Sequence, residues 1–325
     1  MDIQSYVISK LGKEPNSAGK IHTSCPFHDD QTKSFSYDLN KNLFICGSTS
    51  CGVKGNFLLF YKLLENITNW REVYEQLKSP HLAIDLDSLL GLDSYVEKQT
   101  PQVPNPWPPV PFVEPIQHIQ YLVDRGITQT AITAFGLHYG TGGIFSGIDL
   151  ENSIVVPIYD VDSTYMTFQV RYLLPEKQPR WKNPVNSPLQ NLLYGGWLAP
   201  VPGSEIWIVE GASDVWNLYI HGVYSVGLFT KEASPSQLNR LYRLCKNWDL
   251  KPVVCLDGDT HDQYSSNFIK EKDYCLYLHD MLWSYGFEPS IIYLPKEKDP
   301  GSLTGEDIAY LKRKLDNLET KVYIE

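Results

Sequence analysis

Two apolar runs in the last third of the chain each stop on carboxylates. The run IWIVEGASDVWNL at 206–218 contains Glu210, and Asp214 follows four residues later at the start of a predicted helix. The run VVCLDGD at 253–259 ends on Asp257 and Asp259. Because alternate side chains of a strand share a face, we expect Asp257 and Asp259 to point the same way. If the two strands are neighbours in a sheet, these four carboxylates converge at one edge.

A cluster of four carboxylates repels itself unless a cation neutralises it. Carboxylate oxygens are ligands for hard divalent cations such as magnesium, and acidic magnesium sites are typical of phosphoryl and nucleotidyl transfer. The pattern therefore predicts a magnesium or manganese site. The alternative interpretation is an ordinary α/β sheet whose loops happen to be acidic.

The N-terminal pattern is different, with two β-rich runs in SFSYDLNKNLFIC at 34–46 around a polar turn, which predicts a hairpin. Four potential ligands flank it with the spacing Cys-x2-His-x17-Cys-x4-Cys: Cys25, His28, Cys46 and Cys51. Three thiolates and one imidazole predict a closed, structural zinc site. His22 fits the spacing less well and is expected on the surface. The alternative is that the cysteines are buried apolar residues.

The remaining pattern predicts the domain boundaries. One helix is expected to begin near Asn56 and run through FLLFYKLLENITNWREVYEQLK, and a tract with seven prolines between 101 and 115 follows. Residues after it alternate helices, with Thr128 as a cap, and strands at SIVVPIYD and TYMTFQVRYL. The sequence thus predicts a multidomain α+β and α/β protein divided into four segments: 1–78, a linker at 79–115, 116–200 and 201–325.

Composition and charge limit the partners. The net charge of −10 argues against a broad nucleic-acid-binding face, and residues 201–325 alone carry 13 basic and 19 acidic groups. Basic residues concentrate between 171 and 182, where Arg171, Arg180 and Lys182 could hold phosphates. A solvated loop is the alternative for Lys182, whereas Arg180 is expected to be held against Trp181. Six cysteines without a leader, and no membrane-length apolar run, favour a cytoplasmic protein.

Several motifs together resemble bacterial and phage DnaG-type primases. GKIHTSCPFHDDQTKSFS at 19–36 is similar to their zinc-binding domain, although the last two ligands are there separated by two residues. Glu210 followed by an Asp-x-Asp pair resembles their Toprim metal-binding domain. Asp299-Pro300-Gly301 resembles a third acidic element that usually reads Asp-Pro-Asp. The middle segment resembles the N-terminal part of the catalytic core through four short motifs: Arg125-Gly126-Ile127, Arg180-Trp181, Asn186-Ser187-Pro188 and Leu193-Tyr194-Gly195.

The resemblance implies a DNA-dependent RNA polymerase that makes short RNA primers on single-stranded DNA from ribonucleoside triphosphates. It implies structural zinc, and catalytic Mg²⁺ or Mn²⁺ held by Glu210, Asp257 and Asp259 with help from Asp214 and Asp299. A separately encoded replicative helicase is an expected partner, and no membrane association is expected. Two alternatives remain, a Toprim-type nuclease and a degenerate nucleic-acid-binding protein that has lost polymerisation. Phe35, Tyr37 and Phe44 are expected either to stack template bases or to form the hairpin core.

Overall fold

The computed structural model describes residues 2–77, 108–116, 119–258, 274–317 and 320–323. Its residues form two compact units. The first contains Met1–Gln99 and Asp280–Phe287, and the second contains Thr100–His279 and Glu288–Glu325. The four-segment division expected from the sequence stays a prediction.

The first unit is built on a four-stranded antiparallel sheet in the order β1-β2-β3-β4. β2 and β3 form the predicted hairpin, with Phe35 paired to Cys46. The elements are α1 (Ile3–Leu11), β1 (Lys20–Thr23), β2 (Phe35–Asp38), β3 (Leu43–Cys46), β4 (Lys54–Asn56), α2 (Phe57–Leu64) and α3 (Trp70–Leu77).

The aromatic residues of the hairpin form its core. Phe35 and Tyr37 are fully buried and Phe44 is 3% exposed. Phe35 and Phe44 stack with their ring centroids 5.6 Å apart, and Phe60 of α2 packs edge-on against Tyr37. Because buried rings cannot receive a nucleobase, the structure decides between the two alternatives for Phe35, Tyr37 and Phe44 in favour of the hairpin core.

The single helix expected after Asn56 is two helices. Asn56 caps α2, since its side chain accepts a hydrogen bond from the Leu59 N–H at 3.2 Å. Asn66 then takes a positive φ of 54°, which ends the helical path. Asn69 restarts it by accepting from the Arg71 N–H at 2.9 Å. Asparagine tolerates the left-handed conformation and caps helices well, so local chemistry outweighs the continuous apolar periodicity.

The first half of the second unit contains a five-stranded antiparallel sheet in the order β11-β10-β9-β6-β5, and a separate β7-β8 ribbon. Thr128 caps the second of its helices as expected, by accepting from the Ala131 N–H at 3.3 Å. The elements are β5 (Val113–Pro115), α4 (Gln120–Asp124), α5 (Gln129–Ala134), β6 (His138–Gly140), β7 (Ile144–Phe145), β8 (Ile148–Asp149), β9 (Ser153–Tyr159), β10 (Tyr165–Tyr172) and β11 (Trp181–Lys182).

The proline-rich tract ends in a strand. Residues 79–107 lie outside the described part of the chain, but β5 pairs with β6 and takes Pro115 into the sheet. β5 is an edge strand, which is where a residue without an N–H is tolerated.

The second half is a parallel sheet in the order β13-β12-β14-β15-β16, flanked by helices. The two strands of the acidic pattern, β12 and β14, are direct neighbours, as the sequence analysis required. The elements are β12 (Glu205–Val209), α6 (Ala212–Ile220), β13 (Ser225–Gly227), α7 (Pro235–Trp248), β14 (Lys251–Val254), α8 (Tyr274–Ser284), β15 (Ser290–Tyr293), α9 (Gly305–Asp316) and β16 (Lys321–Tyr323). Only the part of α8 up to His279 belongs to this unit.

An apolar core and a buried ion pair join the two sheets of the second unit. Trp216 of α6 is fully buried and donates to the Tyr194 hydroxyl at 2.7 Å. Asp160, at the end of β9, accepts from Nε and Nη2 of Arg240 on α7 at 2.8 and 2.7 Å. Both partners are nine-tenths buried or more. This bidentate pair fixes α7 against the antiparallel sheet.

Residues Asp280–Phe287 pack within the first unit. Trp70 of α3 stacks in parallel on Trp283 with 6.3 Å between ring centroids, and its indole N–H donates to Asp280 at 2.9 Å. Lys62 forms an ion pair with Asp280 at 3.3 Å.

None of the helices in the described ranges has the length and apolar character needed to cross a membrane.

Candidate metal centres

The first unit brings the four predicted zinc ligands together. The ligand atoms of Cys25, His28, Cys46 and Cys51 all lie within 4.8 Å of one another. The Sγ atoms of Cys25 and Cys51 are 4.0 Å apart, and Cys46 Sγ is 3.9 Å from His28 Nδ1. Ligands about 2.3 Å from a tetrahedral zinc lie about 3.8 Å from each other, so the set fits this ion. His22 is exposed, as predicted.

The three thiols differ in their electrostatic surroundings. Burial raises the pKa of Cys25 to about 12, and neighbouring Cys51 and Cys46 add to the rise. Burial also raises the pKa of Cys51. At Cys46, burial is outweighed by hydrogen bonds from Ser34 and Ser48, and the pKa is lowered. A cation at the centre is what would allow all three to be thiolates at once.

The parallel sheet brings Glu210 and Asp257 together at its carboxyl edge. The Asp257 N–H lies 3.2 Å from Glu210 Oε1 and donates to it. β14 ends at Val254, so Asp257 lies in the loop beyond the strand and the expectation from strand alternation does not apply to it. Asp259 lies outside the described residues.

Asp214 and Asp299 reach the same edge from two other elements. Asp214 is the third residue of α6, and its Oδ2 accepts from the Gly211 N–H at 2.8 Å. Asp299 begins the turn Pro300–Ser302, which Asn217 of α6 fixes by donating to the carbonyls of Pro300 and Leu303 at 2.9 Å each. Asp299 Oδ1 is buried and has no hydrogen-bond partner among the described residues.

Gly301 allows these two carboxylates to approach the turn. A Cβ atom at this position would lie 2.8 Å from Asp214 Oδ1 and 3.3 Å from Asp299 Oδ1. The missing carboxylate of the Asp-Pro-Asp pattern therefore coincides with a place where a side chain would have to displace the Asp214 carboxylate.

The acidic edge is electrostatically strained. Asp214 is 5% exposed, and burial raises its pKa well above the usual range; Asp257, Asp299 and Glu210 raise it further. Like-charged carboxylates favour the protonated form of a buried neighbour. In the described part of the chain, no three of these side chains bring their oxygens within the 4.8 Å that the zinc ligands satisfy. The chemistry of the donors nevertheless suits a hard cation.

The predicted basic residues occupy different environments. Arg171 of β10 is 8% exposed and its guanidinium lies over two rings, 4.8 Å from the centroid of Tyr121 and 5.7 Å from that of Trp181. Its Nη1 donates to the Tyr172 carbonyl at 2.9 Å, and its Nε is buried without a partner within the described ranges.

Arg180 and Lys182 are less constrained. Arg180 is exposed, and no ring or carboxylate in the described part of the chain holds its guanidinium. The expectation that it packs against Trp181 is wrong, because Arg171 contacts that ring from the neighbouring strand. Lys182 is half-buried and lies near Asp149, which forms an ion pair with Lys177 at 2.7 Å.

Comparisons with known proteins identify the kind of centre. Residues 2–89 match the family model described as CHC2 zinc finger. The chain is 24% identical over 341 residues to a DNA primase of Clostridium acetobutylicum, 25% identical over 367 residues to one of Pseudomonas aeruginosa, and 24% identical over 338 residues to one of Aquifex aeolicus. The resemblance to DnaG-type DNA primases is confirmed. The match to a zinc finger supports structural zinc in this segment, and the four residues Cys25, His28, Cys46 and Cys51 stay the predicted ligand set.

The alignments cover most of this chain but only part of each relative. The alignments cover 90%, 94% and 92% of this chain but 53%, 52% and 64% of the three relatives, so the chain spans about half to two thirds of their length. A crystal structure of the zinc-binding and RNA polymerase domains of the Aquifex aeolicus primase matches 98% of this chain and 83% of that one, with a TM-score of 0.50 and 21% identity. The expected fold class is therefore confirmed.

The structure also places beside the acidic turn three residues to which the sequence analysis gave no role. Arg125 was noted only as part of a motif, yet its Nη1 donates to the Gly301 carbonyl at 3.4 Å. Tyr121 is 5.0 Å from the Arg125 guanidinium and also contacts Arg171. Asn217 anchors the acidic turn from inside a helix. Only the spacing of Tyr121 and Arg125, four residues apart on one helix face, carried a sequence signal.

Proposed function

We propose that the chain is a DNA-dependent RNA polymerase, a nucleotidyltransferase that makes short RNA primers on single-stranded DNA. The observation that carries this proposal is the presence, in one primase-like chain, of a CHC2 zinc centre and an acidic sheet edge where Glu210 contacts the Asp257 backbone. The relatives named DNA primase support it.

The acidic edge would hold catalytic Mg²⁺ or Mn²⁺. Glu210 and Asp257, with Asp259, are the proposed ligands, and Asp214 and Asp299 assist. A divalent cation bound there supplies Lewis acidity that lowers the pKa of the primer 3′-hydroxyl and neutralises the pyrophosphate that leaves. Glu210 is the proposed general base for the hydroxyl proton.

The basic residues would bind phosphates. Arg171 is fixed by the rings of Tyr121 and Trp181. Arg125 also lies over the Tyr121 ring, and it donates to the Gly301 carbonyl. Neither guanidinium has an ion-pair partner among the described residues. Both are therefore suited to triphosphate or template phosphates, with exposed Arg180 and half-buried Lys182 as weaker contacts. Single-stranded DNA, ribonucleoside triphosphates and a separately encoded helicase are the proposed partners.

The zinc centre would position the template rather than catalyse. Its four ligands close the coordination sphere, which is typical of structural zinc. Since the hairpin aromatics are buried, contact with DNA must come from the polar surface of this unit and not from base stacking on Phe35, Tyr37 or Phe44.

Primer synthesis tests the proposal directly. The protein is incubated with single-stranded DNA, labelled ribonucleotides and Mg²⁺ or Mn²⁺, and the products are resolved by size. We expect short RNA products from the wild type and from Glu14→Ala, which removes an exposed carboxylate, and none from Asp257→Ala. DNA degradation without synthesis would instead support the nuclease alternative. DNA binding with neither activity would support the degenerate binding protein.

Nucleotide titration tests the basic residues separately. A desolvated, charge-assisted phosphate contact contributes about 1.5–3 kcal/mol, so Arg171→Ala should weaken nucleotide affinity about ten- to a hundredfold at fixed salt. Arg180→Ala is the matched control, and its loss should be smaller because its guanidinium is solvated. Equal losses for the two variants would contradict the assignment of Arg171 as the principal contact.

A further inference from the structure

Asp30 is a hydrogen-bond hub beside the zinc ligands. Its Oδ2 accepts from the N–H groups of Cys25 and Ser34 at 2.8 and 2.7 Å, and from the Ser34 hydroxyl at 2.8 Å. Its Oδ1 accepts from the N–H and the hydroxyl of Thr32 at 2.9 and 3.0 Å. One carboxylate thus fixes the backbone of the first ligand and the chain that leads into β2.

Ser34 links this hub to the second pair of ligands. Its Oγ lies 3.2 Å from Cys46 Sγ, and its carbonyl accepts from the Gly47 N–H at 2.8 Å. The Ser48 N–H approaches the same sulfur at 3.4 Å. Ser34 therefore contacts Asp30 on one side and Cys46 on the other, and so joins the two halves of the centre.

The single hydroxyl proton of Ser34 determines how this link works. A serine hydroxyl donates one hydrogen bond and can accept others. Asp30 Oδ2 already has two backbone donors, from Cys25 and Ser34, and does not depend on this proton. While Cys46 is a thiol, its S–H can donate to the Ser34 oxygen and the hydroxyl proton stays on Asp30 Oδ2. When Cys46 becomes a thiolate ligand, the hydroxyl has a negatively charged acceptor 3.2 Å away and turns its proton to the sulfur, where it offsets negative charge together with the Ser48 N–H.

We propose that Asp30 and Ser34 are positioning residues of the zinc centre, Asp30 by fixing Cys25 and Ser34, and Ser34 by donating a hydrogen bond to the Cys46 thiolate. Partners behind metal ligands fix their orientation and tune their donor strength, and removing one usually costs about ten- to a hundredfold in metal affinity. The link does not depend on the proposed polymerase activity.

Zinc affinity of the full chain gives the first test. Zinc transfer to a chromophoric chelator is measured for the wild type, Ser34→Ala, Ser34→Thr, Asp30→Asn and Ser36→Ala. Ser36 is the matched control, because it lies two residues along on β2 and is half-buried without contacting a thiol. We expect about ten- to a hundredfold weaker binding for Ser34→Ala and Asp30→Asn, and near wild-type binding for Ser34→Thr and Ser36→Ala.

Cobalt substitution separates a hydrogen bond to sulfur from simple structural support. A thiolate that loses a hydrogen bond is a better electron donor, so the sulfur-to-cobalt charge-transfer band of Ser34→Ala should move to lower energy. The band should return toward the wild-type position in Ser34→Thr and stay unchanged in Ser36→Ala. An unchanged band in Ser34→Ala, with or without weaker zinc binding, would overturn the proposed bond to Cys46. Wild-type zinc affinity in both Ser34→Ala and Asp30→Asn would overturn the positioning role.

Discussion

Substituting Gly301 tests whether the acidic turn has room for a side chain. In Gly301→Ala the new Cβ would meet Asp214 Oδ1 at 2.8 Å, closer than real Cβ contacts, and would lie 3.5 Å from Arg125 Nη1. Neither the Asp214 carboxylate nor the turn that carries residue 301 can move away freely. Asp214 is held by the Gly211 N–H, and the turn is held by two hydrogen bonds from Asn217.

The magnitude follows from overpacking. Inserting one carbon into a tight site usually costs about 1–3 kcal/mol in the free energy of unfolding. In a unit of this size each kcal/mol lowers Tm by about 2–4 °C, so Gly301→Ala should melt about 2–12 °C below the wild type. Gly301→Asp adds a further carboxylate beside Asp214 and should melt lower still in EDTA, because repulsion adds to the steric cost.

Thermal unfolding in EDTA and in Mg²⁺ measures both effects. Mg²⁺ should recover part of the loss in Gly301→Asp, since a cation neutralises the added charge, and little of the loss in Gly301→Ala. Gly305→Ala is the control, because a Cβ atom there would meet its nearest neighbour, the ring of His221, at 3.3 Å, which is a milder contact than the 2.8 Å at Gly301. If Gly301→Ala melts with the wild type in EDTA, the steric argument fails. Equal behaviour of the alanine and aspartate variants in both buffers would refute the electrostatic part.

Three further predictions follow from the structure. Asp160→Asn should lower the free energy of unfolding by about 3–5 kcal/mol at neutral pH in urea titrations, because it leaves the buried guanidinium of Arg240 uncompensated. Burial raises the pKa of Asp160, but the Arg240 hydrogen bonds outweigh it and the pKa is lowered. The difference between variant and wild type should therefore persist above pH 3.8, the unfolded value, and shrink as the pH falls through the lower folded value. Cys46→Ser should abolish stoichiometric zinc and expose amides in residues 20–60 to hydrogen exchange, while the parallel sheet stays protected. Asp257→Ala should melt at or above the wild-type temperature in EDTA, since it removes one of the charges that raise the Asp214 pKa, and a clear loss of stability would contradict that reasoning.

The parts of the site that the sequence predicted depend on short-range geometry. The spacing of the four zinc ligands around a hairpin fixes their distances almost independently of the rest of the chain. Glu210 and Asp257 could be paired because each ends an apolar run, and parallel strands place their carboxyl ends at the same edge. Both inferences needed only local pattern and a rule of topology.

The role of the hairpin aromatics, which the sequence left open, depends on which side of the hairpin is covered. The hairpin alternates aromatic and polar residues, and this pattern suits either a base-binding face or a core. Phe60, sixteen residues after Phe44, decides between them by packing on the inner face. The break between α2 and α3 is the opposite case, because its cause is local. Asn66 ends the helical path although the apolar pattern continues to Leu77.

Arg125 and Arg171 show why a negative net charge does not by itself exclude a phosphate-binding partner. A chain with a net charge of −10 can still bind phosphates if a few cations are desolvated and fixed. Tyr121 brings Arg125 and Arg171, 46 residues apart in sequence, onto one ring beside the acidic turn. The same ring therefore holds the positive charges of the proposed site next to its negative ones. An array of this kind favours a ligand that carries both a divalent cation and several phosphate oxygens, which is the form in which a nucleoside triphosphate enters a polymerase.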